Sequence, residues 1–190
     1  MGYSGLLIAS PQMVDVFFAK TVILLCDYNE DGALGIVVNR TTELHPDEVL
    51  EQMDVSDGGG IRSPVLWGGP VQPGAVFLTY SRAPEGMPSA AEGEDSEPVF
   101  DLGPRLQVSP SREVIRAVSA DHGNPGAFLS LGYAGWGAGQ LDEEIQSGSW
   151  IFTEVEPAAL FGVAADDLYD YCIDKLGVGE HQLWMMPIDE

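Results

Sequence analysis

The sequence predicts an α+β fold built on a mainly antiparallel sheet. Short β-branched runs flank glycine-containing turns, a pattern typical of hairpins. Strands and helices do not alternate regularly, which disfavours a doubly wound parallel sheet. The chain has 190 residues, of which 45% are apolar, and no segment resembles a linker. We therefore expect a single domain over residues 1–190, with a core large enough to need neither disulfides nor a structural metal.

In the first half of the chain, strands surround one short helix. The runs TVILLC and ALGIVVN enclose a polar turn and indicate a β-hairpin. Pro46 suits the first turn of a helix, and the acids Asp47 and Glu48 favour its positive end. In order, we expect a strand at 5–9, a helical turn at 13–18, hairpin strands at 21–26 and 33–39, a helix at 46–53 and a second strand pair at 64–67 and 75–80.

The second half opens with an acidic stretch, residues 83–101, whose Pro, Gly and Ser content predicts a mobile surface loop. Ser109 is expected to cap a helix that starts at Pro110 and ends at Ala120. The remaining elements are a turn at 123–126, a strand at 128–131, a glycine-rich loop at 132–139, a helix at 140–146, a strand at 150–153 and a helix at 166–176 with Leu168, Tyr171, Cys172 and Leu176 on one face.

Charge excludes one broad class of partner. The chain has 30 acidic and 8 basic residues, a net charge of −22, and its arginines are scattered. Direct nucleic-acid binding is disfavoured, because it depends on clustered Lys and Arg that displace counterions from phosphates. A highly solvated surface or adaptation to high salt explains the acidity, and a surface that recruits a basic protein partner is the alternative. The same charge opposes close approach of two copies, so we expect a monomer.

Targeting signals are also missing from the sequence. The N-terminal residues lack the basic region of a signal peptide, and no apolar run reaches the ~18 residues that a membrane span needs. We expect a cytoplasmic protein without membrane contacts.

Cysteine and histidine spacing predicts neither a metal nor a cofactor. Cys26 and Cys172 lie in apolar patterns that indicate buried, unreactive thiols, and the three histidines are far apart in sequence. Residues 27–32 match the first half of a calcium-binding EF-hand loop, but Val38 stands where the bidentate glutamate belongs. A polar hairpin turn is the better interpretation.

The stretch GYAGWGAGQL, residues 132–141, is the most unusual in the chain. It sets two aromatic residues among glycines, which let the backbone turn closely and keep its amides accessible. Tyr133 and Trp136 could stack on a flat ligand, and Gln140 could bind its edge. A tight aromatic corner that serves only the fold explains the same pattern, and the sequence does not decide between the two.

Arg40 is a second candidate, because it is a solitary cation at the end of the predicted hairpin. It could anchor an anion, or form an ion pair with Asp15 or Glu144. Together the corners and the glycine-rich loop suggest one ligand pocket, lined by Asn39, Arg40, Gly68, Gly69, Pro70, Gly132, Tyr133, Gly135, Trp136, Gln140 and Glu144.

Read in order, the blocks GLLIASPQM, TVILLCDYN, GALGIVVNR, WGGPV and GYAGWGAGQLDEEIQSGSW resemble the AlgH/YqgE family of bacterial cytosolic proteins. The resemblance spans residues 4–153. It implies an α+β fold with a branched, mostly antiparallel sheet that includes a small barrel, surrounded by helices. It implies no established activity. The family is commonly labelled a transcriptional regulator, and this chain's charge would make such regulation indirect.

Two hypotheses about function remain open. The leading one is a non-enzymatic regulatory or binding module that takes a protein partner or a small anionic ligand. The alternative is an enzyme acting on a nucleotide or phosphorylated metabolite, with Arg40 holding the anion and Glu144 or Asp15 as general base. No nucleophile of recognised geometry supports the enzyme.

Overall fold

The computed structural model describes residues 5–55, 58–82, 98–122, 124 and 126–177. Within them lie nine strands, five α-helices and a 3-10 turn at Gly58–Gly60. The strands are β1 (Gly5–Ala9), β2 (Val22–Asn29), β3 (Gly32–Val37), β4 (Leu66–Trp67), β5 (Val71–Tyr80), β6 (Phe100–Asp101), β7 (Gln107–Ser109), β8 (Ala127–Gly137) and β9 (Trp150–Thr153). The helices are α1 (Pro46–Gln52), α2 (Arg112–Ala120), α3 (Gln140–Gln146), α4 (Pro157–Gly162) and α5 (Ala165–Lys175).

One sheet of order β6-β7-β5-β8-β3-β2-β1-β9 organises the fold, and β4 joins β8 as a branch. All pairings along that order are antiparallel, and the β4–β8 pairing is parallel. The α+β class and the branched, mostly antiparallel sheet are therefore confirmed. The barrel does not close among the described residues, because the order ends at β6 and β9 without a pairing between them.

Strand β8 joins the two halves of the sheet. Its first half pairs with β5 and its second half with β3. Gly132 lies between them at φ +74°, a conformation that favours glycine. Two apolar clusters follow this division. One packs β1, β2 and β3 against α5, and the other packs α1 and α2 against the ends of β5 and β8.

Several predicted elements agree closely with the structure. The strand at 5–9, the hairpin, and the elements at 140–146 and 150–153 are confirmed, and the helix at 46–53 ends one residue early. His45 caps that helix, since its Nδ1 accepts from the Asp47 N–H at 3.3 Å and its own N–H donates to Glu48. Gly177 follows α5 at φ +67°, as expected of a residue beyond a helix end.

Four local predictions are wrong. Residues 132–137 are strand, not loop, because they pair with β3 and β5, and Gly132 lets the backbone of Gly69 pack closely on β8. β4 and β5 both pair with β8 and do not form a hairpin. The helix predicted from Pro110 begins at Arg112 with Ser111 as N-cap, since Ser109 belongs to β7. Residues 13–15 are irregular and residues 16–20 form a turn, so no helix is present at 13–18.

The helical face predicted near the C-terminus is also partly wrong. α5 buries Leu168, Tyr169, Cys172 and Ile173, whereas Tyr171 is half-buried at the rim of a cavity. The acidic loop at 83–101 lies outside the described residues except for its last four positions, where β6 forms, and the turn at 123–126 is described only in part. Among the described helices, none combines the length and apolar character of a membrane-crossing segment.

Candidate functional site

The predicted site residues separate into three groups with different roles. The glycines of the corner pack on β8. The side chains of Trp136 and Gln140 surround Glu144. Asn39 and Arg40 hold the segment that precedes β2.

The glycine corner brings two backbones into contact. Gly68 donates its N–H to Leu131 O at 2.7 Å, and a Cβ at Gly69 would lie 2.1 Å from the carbonyl carbon of Tyr133. A Cβ at Gly132 would meet Gly69 O at 2.3 Å. The glycines are therefore needed for close packing, with half-buried Pro70 next in the chain. Tyr133 also packs inward, edge-on to Phe77 at 5.9 Å between ring centroids, while Gly135 is exposed.

Glu144 is surrounded by neutral donors. Its Oε2 accepts from the indole N–H groups of Trp136 at 3.0 Å and Trp150 at 2.8 Å, and its Oε1 accepts from Gln140 Nε2 at 2.9 Å. Gln140 Oε1 accepts in turn from the Gly137 N–H at 3.0 Å. These bonds connect α3 to the ends of β8 and β9. The carboxylate therefore fixes two buried tryptophans at the open end of the core.

Asn39 and Arg40 are committed to main-chain contacts. Asn39 is buried, accepts from the Val22 N–H at 2.8 Å and donates to Lys20 O at 2.9 Å. Arg40 Nη2 donates to Ala19 O at 2.9 Å, and its guanidinium carbon lies 5.4 Å from the ring centroid of Trp67. Burial lowers the pKa of Arg40 and the Asp15 charge raises it.

The predicted ion pair of Arg40 is therefore not formed with either proposed partner. Within the described part of the chain, no carboxylate lies within 4.0 Å of its guanidinium. The guanidinium instead contacts the ring face of Trp67 and donates to the carbonyl oxygen of Ala19, and both contacts hold the segment before β2 in place.

That segment, residues 13–18, exposes apolar side chains and is called the apolar turn below. Val14 is 93% exposed, Val16 87% and Phe17 50%. Met13 and Phe18 are partly buried and pack against the core. The sequence prediction of a helical turn missed this surface, because so short an apolar run does not show which side chains are exposed.

Hydrogen bonds fix the conformation of the apolar turn. Asp15 Oδ1 accepts from the N–H groups of Phe17 at 2.8 Å and Phe18 at 3.0 Å. The Thr21 hydroxyl donates to Phe18 O at 2.7 Å, and Lys20 adopts φ +57°. With the contacts from Asn39 and Arg40, these bonds hold a short surface segment in one shape while its apolar side chains face solvent.

A chain of aromatic rings connects the three groups. Phe17 stacks on Trp67 with centroids 6.2 Å apart, and Phe17 and Phe18 are 6.4 Å apart. Phe18 contacts Trp150 at 5.8 Å, and Trp150 contacts Trp136 at 6.0 Å. The predicted residues thus belong to one connected framework around the apolar turn. Their role in ligand binding stays a prediction.

Both cysteines are buried and free. Burial raises the pKa of the Cys26 thiol, and the neighbouring Asp27 charge raises it further. Burial also raises the pKa of Cys172, against a smaller lowering by Lys175. Both thiols therefore stay protonated at neutral pH, which agrees with the prediction of unreactive cysteines.

Metal ligands do not cluster in the described residues, since no group of three or more His, Cys, Asp or Glu there is placed to hold an ion. The stretch that resembles half an EF-hand belongs to the β2–β3 hairpin, where Asn29 Oδ1 accepts from the Asp31 N–H at 2.8 Å. It is a polar hairpin turn, as the sequence indicated.

Two of the cavities lie away from the predicted site residues. One, of about 360 Å³, lies between β9, α4 and α5, beside Cys172 and the ion pair of Lys175 with Glu156. The other, of about 500 Å³, lies between the end of β5, the turn before β7 and α4. Neither is lined by a predicted site residue.

Comparison with known proteins identifies relatives over nearly the whole chain. A family model described as AlgH-like matches residues 6–181. A UPF0301 protein of Thioalkalivibrio sulfidiphilus is 39% identical over 173 residues, covering 90% of this chain and 88% of the relative. A UPF0301 protein of Burkholderia vietnamiensis is 34% identical over 179 residues, covering 93% and 89%.

Two solved structures have a similar fold. The solution structure of the AlgH protein from Pseudomonas aeruginosa has a TM-score of 0.69 and 34% identity, and the match covers 97% of this chain and 93% of that one. A crystal structure of a Corynebacterium diphtheriae protein has a TM-score of 0.74 at 19% identity, covering 98% and 93%, which supports the fold alone.

Proposed function

The chain belongs to the AlgH-like family, and we propose that it is a non-enzymatic binding module that presents the apolar turn to a protein partner. The observation that carries this proposal is the exposure of Val14 and Val16 on a segment held rigid by its surroundings. Exposed apolar groups on an ordered surface are typical of interaction sites. A rigid segment also binds with a smaller loss of conformational entropy than a disordered one.

The hydrogen bonding of the two candidate bases favours binding over catalysis. Both oxygens of Glu144 accept from neutral donors, which occupy three of its roughly four lone-pair sites. Asp15 Oδ1 caps two backbone N–H groups of the apolar turn. A general base needs an accessible lone pair within reach of its substrate. These carboxylates instead support the shape of the surface.

Charge and shape together indicate the chemistry of the partner. Val14 and Val16 project outward, so they fit an apolar groove and not a flat polar surface. The chain carries a net charge of −22, which favours approach of a basic protein and repels an acidic one. The guanidinium of Arg40 lies against Trp67 and Ala19, so this cation is already engaged. We therefore assign a basic protein with an apolar groove as the partner.

In this proposal the protein acts in the cytoplasm as a monomer. Any influence on gene expression is indirect and runs through the bound protein, because the chain offers no basic stripe for duplex contact.

Site-specific photocrosslinking in cells tests the proposal. A photoreactive phenylalanine analogue at position 16 should crosslink one basic protein, and the same analogue at Glu113, exposed on α2, should not. The purified partner should then bind the native chain directly. The proposal is overturned if position 16 gives no crosslink beyond that at position 113, or if the crosslinked protein does not bind the purified chain.

A further inference from the structure

A cleft of about 500 Å³ gathers positive charge in a strongly acidic protein. Arg82 and Arg105 line it, together with Ser81, Phe161 and the two prolines Pro104 and Pro157. The whole chain has only 8 basic residues against 30 acidic ones, yet no Asp or Glu is among the described residues that line this cleft. The described lining of this cleft is therefore positively charged, although the chain as a whole is acidic.

Arg105 is held on a tight turn, and its side chain has no partner among the described residues. Leu106 donates its N–H to Gly103 O at 3.2 Å, and Leu102 donates to Leu106 O at 3.0 Å, which fixes the backbone on both sides of the arginine. Within the described residues, its guanidinium makes no hydrogen bond and no ion pair. Five donors therefore remain available in a fixed part of the surface.

Arg82 has one weak competitor. Its Nη2 lies 3.6 Å from Asp121 Oδ2, outside hydrogen-bond distance, and its side chain is well exposed. An exposed ion pair of this kind contributes between zero and about 1 kcal/mol, so a ligand anion can replace it. Both arginines can then turn toward one anion in the cleft.

Apart from Ser81, the rest of the lining is apolar. Phe161 packs against Phe128 with ring centroids 5.8 Å apart and against the backbone of Gly126, which fixes the ring. The two prolines add conformationally restricted walls, since Pro104 directly precedes Arg105 and Pro157 begins α4. An apolar group of a ligand would lie against these residues while its anionic group meets the arginines.

We infer that this cleft binds a small phosphate monoester that carries a flat apolar group. Arginine forks match phosphate oxygens with two parallel hydrogen bonds, and Phe161 supplies an aromatic wall for the organic part. The net charge of −22 does not prevent this. At physiological ionic strength the Debye length is about 8 Å, so acids beyond that distance are largely screened, and Asp121 beside Arg82 is the described acid with which a phosphate competes.

Calorimetric titration of the full chain with phenyl phosphate, in a buffer free of phosphate, tests the inference. We expect saturable binding, with inorganic phosphate binding more weakly because it lacks the apolar group. Arg105→Gln and Arg82→Gln should each weaken phenyl phosphate binding at least tenfold, which corresponds to about 1.4 kcal/mol.

Arg116→Gln is the matched control, because it removes the same charge from an exposed position on α2 outside the cleft. Its affinity for phenyl phosphate should equal that of the native chain. No saturable binding by the native chain overturns the inference. An equal loss in all three variants also overturns it, since it would indicate general electrostatic attraction and not a site.

Discussion

Phe17 stacks on Trp67, with ring centroids 6.2 Å apart and ring planes inclined by 17°. This contact joins a surface turn to β4, the strand that branches from β8. The Trp67 ring also contacts the guanidinium of Arg40, whose Nη2 donates a hydrogen bond to the carbonyl oxygen of Ala19. The apolar turn is therefore attached to the sheet, and these contacts hold the segment that carries its exposed valines.

Asn39 should be essential for attaching the segment around Lys20 and Val22, next to the apolar turn, to the core. We expect Asn39→Ala to lower the free energy of unfolding by about 1–3 kcal/mol, because it leaves the buried Val22 N–H and Lys20 carbonyl without partners. Urea denaturation measures the loss. Gln12→Ala, a truncation of an exposed side chain just before the apolar turn, should change the free energy of unfolding by less than about 0.5 kcal/mol. Equal effects of the two substitutions would contradict this role.

Glu144→Gln should destabilise the protein by about 1–3 kcal/mol, since a carboxamide offers one acceptor oxygen where the carboxylate offers two. Its NH₂ group would face either Gln140 or the two indole donors. Chemical denaturation followed by tryptophan fluorescence reports both the free energy of unfolding and the environment of the two tryptophans. Glu143→Gln, on the exposed side of α3, is the control and should be neutral. A native-like Glu144→Gln would show that the carboxylate does not organise the tryptophans.

Gly132 and Gly148 form a natural matched pair. Both have positive φ, +74° and +76°, but a Cβ at Gly132 would lie 2.3 Å from Gly69 O, whereas a Cβ at Gly148 meets nothing within 4 Å. Gly148→Ala should therefore cost about 1–2 kcal/mol from backbone strain alone. Gly132→Ala should cost more than about 4 kcal/mol or prevent folding, as circular dichroism and denaturation would show. Similar costs would mean that the corner does not pack closely.

Stability should fall as the pH rises into the alkaline range. The raised pKa of Cys26 keeps its thiol protonated in the folded state, whereas in the unfolded chain it ionises near pH ~8.5. The unfolded state then binds fewer protons, so the free energy of unfolding decreases with pH, by up to about 1.4 kcal/mol per unit for one thiol. Cys172 and Tyr80 shift in the same direction.

Cys26→Ala isolates the contribution of this one thiol. Its stability should fall less than that of the native chain between about pH 8 and about pH 10 in parallel denaturation curves. Identical pH dependence in the two proteins would show that Cys26 ionises equally in both states.

The sequence predicted the fold class and most of the short elements because their signals are local. The hairpin runs, Pro46 and the pattern of α3 act within a few residues. Residues 132–137 were mistaken for a loop because the reason for Gly132 is not local. It lies in the distant corner at Gly68 and Gly69, which packs on β8 backbone to backbone.

The candidate site was predictable only in part for the same reason. Trp136, Gln140 and Glu144 are neighbours in sequence and do meet in the structure. Trp150 joins them through the pairing of β9 with β1, which no short pattern reveals. The exposure of Val14 and Val16 was equally hidden, because it depends on anchors far along the chain.

The proposed function requires that Val14 and Val16 are exposed for binding and not for stability. The most direct test compares the native chain with a Val14→Ser, Val16→Ser double variant for affinity to the purified crosslinked partner. We expect affinity to fall at least thirtyfold, about 2 kcal/mol, while the melting temperature stays unchanged because neither side chain is buried. Unchanged affinity in a folded double variant would contradict the account.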